Sequence, residues 1–145
     1  MDKLSVVIIG IFLLLMSVED VKSRQIKVRH FTLLLPIALG CCVFNYRFGL
    51  IDKTDILVSL VVVGVVGLFS LLSKGMGRAD VLLLFILGMV FGGEILVFGM
   101  LISFGLIYCA AMMLLVRKKL KRTTTFPYIP FLSVGMLLAV TKTLV

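Results

Sequence analysis

Two aspartates stand where long apolar runs of this 145-residue chain are interrupted. Asp20 closes the first run, and Asp80 ends the glycine-rich break Gly75-Met76-Gly77-Arg78-Ala79-Asp80. Taken singly, such acids have an ordinary use: Asp80 as the N-cap of the helix it opens, and Asp20 as a solvated charge at a helix end. Taken together they have another. Two carboxyls that share one proton hydrolyse peptide bonds, because the ionised member deprotonates water while the protonated member polarises the scissile carbonyl. Their titration belongs to the pair, so the proton is assigned to neither residue. Gly75 and Gly77 suit that use, since they permit a close approach of substrate backbone that a side chain would block.

The elements that must position these acids are dictated by composition. Hydrophobic residues make up 61% of the chain and the mean hydropathy is +1.25, which leaves too little polar surface to cover a soluble globule. The expectation is an all-α, polytopic integral membrane protein of about six spans of roughly 20 residues each, forming a single membrane-embedded domain over 1–145. The net charge of +8 is explained by orientation in the lipid bilayer, so no nucleic-acid partner is expected. Cys41, Cys42 and Cys109 lie inside apolar runs without a Cys-x-x-Cys pair, so they read as buried packing residues and no metal site is expected. The first apolar run reads as a retained span, because Ser17-Val18-Glu19-Asp20 offers no small-residue cleavage site.

Apolar runs at 4–18, 31–48, 55–73, 81–93, 95–116 and 128–145 predict six helices, with Gly92-Gly93-Glu94 as a tight turn between the fourth and fifth. Eleven of the fifteen basic residues then fall in loops on one side: Lys22, Arg24, Lys27, Arg29, Lys74, Arg78 and the cluster from Arg117 to Arg122. That side is cytoplasmic and both termini are outside. Asp20 and Asp80, separated by two spans, share the cytoplasmic edge and meet if the first and fourth spans pack together. A first span of only about 15 residues covers roughly 22 Å of a core near 30 Å, which suits a recessed polar site. Gly64, Gly67, Gly88 and Gly92 read as helix-contact positions. His30, the sole histidine, has no metal-ligand partners in the sequence, and Glu94 lies on the face opposite the acids.

In order along the chain, these motifs resemble the type IV prepilin peptidase family of membrane aspartic proteases. The family's Gly-x-Gly-x-Gly-Asp element is matched by residues 75–80. Its first aspartate with a basic stretch and isoleucine is matched by Asp20-Val21-Lys22-Ser23-Arg24-Gln25-Ile26, and its Pro-Phe segment by Ile129-Pro130-Phe131-Leu132 with Gly135. The resemblance implies an active site at the cytoplasmic membrane edge, with Asp20 and Asp80 as the catalytic dyad and Gly75, Gly77, Arg78, Lys22 and Arg24 in the substrate and active-site loops. It also implies cleavage of the leader peptide from pilin-like precursor proteins in a prokaryotic cytoplasmic membrane, with no cofactor.

Four positions depart from the family pattern: Lys27-Val28 replaces Pro-Asn, Ala79 replaces the last motif glycine, and Leu82 replaces a lysine. The paired Cys-x-x-Cys motifs of longer members do not occur, which implies a minimal peptidase form without structural zinc. Two other functions fit the same residues. A non-catalytic homologue would act in pilin binding or assembly, and a small ion or proton carrier subunit would use paired acids, though closer to the bilayer midplane.

Overall fold

The computed structural model describes residues 3–23, 28–73, 77–116 and 127–144. Six helices are found among them: α1 (Lys3–Ser23), α2 (Val28–Arg47), α3 (Lys53–Ser73), α4 (Arg78–Phe91), α5 (Gly93–Val116) and α6 (Tyr128–Leu144). All six follow the sequence expectation. The protein is an all-α, polytopic membrane protein, and its exterior matches that solvent. On α3 alone, Leu57, Leu60, Val61, Leu68, Phe69 and Leu72 are exposed, as lipid-facing side chains must be. Segments Lys53–Leu72 and Gly93–Val116 are long and apolar enough to cross a bilayer by themselves; Phe31–Arg47, Ala79–Phe91 and Tyr128–Lys142 are shorter apolar helices.

α4 is the central element. It packs against α2, α3 and α5, while α1 packs on α2 and α6, and α6 on α5. Leu83, Leu84, Leu87 and Val90 of α4 are completely buried, the pattern of a helix surrounded by others. The first helix presents one inward stripe, Ile9, Leu13 and Met16, and the next position on that face is Asp20. Polar continuation of an apolar stripe is what turns the acid inward.

Two details differ from the sequence reading. α1 does not stop with its apolar run but continues through Glu19 and Asp20 to Ser23, a helix of 21 residues, or about 31 Å. The short helix is α4, with 14 residues and about 21 Å. The expected turn after it is tighter than a loop: Gly92 alone separates α4 from α5, at φ +82°, a conformation that favours glycine.

Glycine contacts hold the bundle together, though not all the expected ones. A Cβ at Gly88 would lie 2.8 Å from Ser59 Cβ, and one at Gly93 2.7 Å from Val58 Cβ, so α3 rests directly on the α4–α5 joint. Gly67 meets Val81 at ordinary contact distance, whereas Gly64 faces open space and is no contact position. The closest approach to a neighbouring backbone lies elsewhere, where a Cβ on Gly135 of α6 would run into the carbonyl oxygen of Gly99 on α5. Such small-residue contacts allow backbones to meet in lipid. Cys109 is exposed, unlike the buried Cys42, and so is not a packing residue.

Gly135→Ala should therefore lower stability by about 2 kcal/mol through overpacking. Gly64→Ala should leave it unchanged or raise it by about 0.5 kcal/mol through helix propensity. Thermal unfolding of the two variants in the same detergent checks the contrast.

Candidate active site

The first residues of α6 create a local need. Pro127 precedes the helix and has no polar side chain to cap it, and Pro130 in its first turn has no N–H to offer. The free amide of Ile129 donates instead to Asp20 Oδ2 at 3.2 Å, from a side chain 109 residues away in sequence. A carboxylate is well suited there, because the helix N-terminus carries partial positive charge. Asp20 is half-buried in the last turns of α1, so it is not the solvated end charge of the simpler reading.

Asp80 is also held by one backbone amide. Gly77 is the N-cap of α4, with extended backbone at φ −68° and ψ 145°, and Asp80 occupies the third helical position. Its Oδ2 accepts from the Gly77 N–H at 3.2 Å, the reaching-back half of a capping box. Asp80 is thus not the N-cap itself, as its place after the glycines suggested. The absence of a side chain at Gly77 matters for proximity rather than for φ, since a Cβ there would lie 3.2 Å from Asp80 Oδ2.

The two acids come together without direct packing of their helices. Among the described residues α4 forms no extensive interface with α1 or with α6, while α1 packs on α6. Asp20 binds Ile129, Asp80 lies in electrostatic range of Tyr128, and the charge of Asp20 bears on Asp80. In each carboxylate the described hydrogen bond engages Oδ2.

Of the other expected site residues, Lys22 is exposed in the last turn of α1 and Arg78 opens α4. Gly75 and Arg24 lie outside the described residues, as do Lys27, Lys74 and the cluster at 117–122. Glu94 is exposed in the first turn of α5, at the far end of the α4–α5 hairpin from Asp80. Tyr128 is a site residue that sequence reasoning missed. Its signal was its place immediately before Ile129-Pro130, but an aromatic residue opening an apolar span is ordinarily an interface anchor.

The departures from the family pattern lose weight in this geometry. Residue 79 is helical, where alanine is a better choice than glycine by about 1 kcal/mol. Leu82 is 39% exposed and two positions beyond Asp80, and residues so spaced do not share a helix face. Neither substitution places a new group against the carboxylates.

Removing the α6 cap should be measurable apart from any activity. Asp20→Ala is expected to cost about 1 kcal/mol of stability, and Asp20→Asn, which keeps an acceptor for Ile129, only about 0.3 kcal/mol. Thermal unfolding in detergent distinguishes them, and equal losses would contradict the capping role.

The family model described as the type IV leader peptidase family matches residues 7–116, a segment that contains both aspartates and ends before α6. No curated protein and no solved structure matches the chain.

Proposed function

Because the chain belongs to the type IV leader peptidase family, we propose that it is a membrane aspartic endopeptidase that removes leader peptides from type IV pilin-like precursors at the cytoplasmic face. Members of the family are aspartic peptidases. The observation that carries the reading for this chain is the convergence of Asp20 and Asp80 at the start of α6, each held through Oδ2 by one backbone amide.

The chemistry follows from a pair holding one proton. The ionised carboxylate takes a proton from water as the water oxygen bonds to the scissile carbonyl carbon. The protonated carboxyl gives its proton to the carbonyl oxygen, so the intermediate is a neutral gem-diol. Collapse restores the carbonyl, breaks the C–N bond and returns a proton to the leaving amine. One carboxyl is protonated again at the end, and no cofactor enters the balance. Lys22, Arg24 and Arg78, with Gly75 and Gly77, belong in this reading to the loops that receive the substrate.

The same reading puts the protein in a prokaryotic cytoplasmic membrane with both termini outside, supported by an even number of spans and by the basic residues of the intervening loops. The helical position of residue 79, where alanine is at home, supports the catalytic reading over a non-catalytic homologue. The location of both acids at helix ends weighs against a carrier, whose acids belong nearer the midplane.

Purified wild-type chain incubated with a pilin precursor should release the leader, and Asp20→Asn and Asp80→Asn should each abolish release. Cleavage that persists in either variant removes the dyad. Gly77→Ala tests the hold on Asp80: its methyl group displaces the carboxylate by a few tenths of an ångström, and kcat/KM should fall about tenfold.

A further inference from the structure

Tyr128 carries a group that the dyad chemistry leaves unused. Its hydroxyl oxygen is buried and has no well-formed hydrogen bond. Its near neighbour is Ser103, whose own proton goes to the Met100 carbonyl at 2.8 Å, so toward Tyr128 it can act only as an acceptor. The Tyr128 ring is seated against Phe104, with centroids 6.0 Å apart. That contact and the partial burial of the ring would be kept by phenylalanine. The hydroxyl itself is a cost in the resting fold, since an unsatisfied buried polar group destabilises by about 1–3 kcal/mol. A residue retained for packing alone has no need of it.

Its surroundings indicate what the hydroxyl is for. Tyr128 adjoins Ile129, whose amide holds Asp20, and it lies within electrostatic range of Asp80. A neutral donor is therefore anchored by its ring next to the residue that holds Asp20 and within electrostatic range of Asp80, with only its contact to Ser103, which is no well-formed hydrogen bond, to give up before it turns to another acceptor. Carboxylates hold and move the protons of the reaction, but nothing else described at the site supplies a side-chain donor to the oxygen on which charge develops.

Building on the peptidase reading, we propose that Tyr128 is a catalytic hydrogen-bond donor whose hydroxyl engages the carbonyl oxygen of the scissile peptide bond as it becomes tetrahedral. The hydroxyl keeps its proton throughout; it stabilises the oxygen while the dyad makes the transfers described above. Ser103 is its resting neighbour and the substrate oxygen its working acceptor. Donors arranged in advance around a developing oxyanion act on the transition state rather than on ground-state binding.

The test uses full-length wild type, Tyr128→Phe and Asp80→Asn in phospholipid vesicles with one pilin-like precursor, following initial rates across substrate concentration and pH together with thermal unfolding. Tyr128→Phe should lower kcat about 100-fold with KM within about twofold and the pH profile unmoved in position. Its unfolding temperature should equal or exceed that of wild type, because the substitution removes only a buried unsatisfied hydroxyl. A kcat within threefold of wild type overturns the inference, and so does a displaced pH profile with an undiminished plateau, which would make Tyr128 a positioning partner of Asp80. Wild type that leaves the precursor intact overturns the peptidase reading and this inference with it; active wild type beside an unimpaired Tyr128→Phe overturns this inference alone.

Discussion

The contact between the backbones of α5 and α6 at Gly99 and Gly135 governs the rest of the site. In lipid there is no hydrophobic gain from bringing two apolar helices together, so close van der Waals fit between small residues must hold them. Here the fit is tight enough that a single Cβ at Gly135 would strike the Gly99 carbonyl. That approach fixes where α6 begins relative to α5, and so sets Tyr128 against Phe104 and Ser103. It also presents the Ile129 amide to α1. A helix whose first turn is flanked by Pro127 and contains Pro130 depends on an acceptor from elsewhere, and Asp20 provides it. Fold and chemistry thus draw on the same carboxylate.

Dependence of this kind gives the two acids unequal structural weight. Asp80 is satisfied locally, three residues from its donor, and its hold depends on α4 folding at its own N-terminus. Asp20 is satisfied only when α1 and α6 are docked. The pair is therefore assembled by tertiary packing on one side and by secondary structure on the other. Asp20 reaches the start of α6 directly, and Asp80 lies within electrostatic range of it, without an extensive interface between α1 and α4.

Much of this was legible in the sequence, for identifiable reasons. Six uninterrupted apolar runs left little freedom in the element order, and glycine with an acid marked the α4–α5 joint. Asp20 and Asp80 stood out because each interrupts an apolar run, Asp80 after glycines; that Ile9, Leu13 and Met16 form the buried stripe ahead of Asp20 is seen in the fold. What sequence did not reveal was long-range partnership. Nothing local to Ile129 says that its amide meets a carboxylate 109 residues earlier, and nothing local to Tyr128 says that its hydroxyl is buried. The apolar run understated α1, because helix hydrogen bonding continues through Glu19 and Asp20 where hydropathy falls. Gly64 and Gly88 look alike as letters; only packing distinguishes the one that faces open space from the one pressed on Ser59.

α5 adds a vertical scale. Its last fully buried residue is Ser103, and past Phe104, which faces Tyr128, the helix continues from Gly105 to Val116, about 18 Å further. That extension is almost wholly apolar, with Tyr108, Met113, Leu115 and Val116 exposed, a surface at home in hydrocarbon and not in water. α5 therefore carries lipid-facing surface well past the start of α6, and its 24 residues, rather than the 14 of α4 or the 17 of α6, are what match the thickness of the apolar layer.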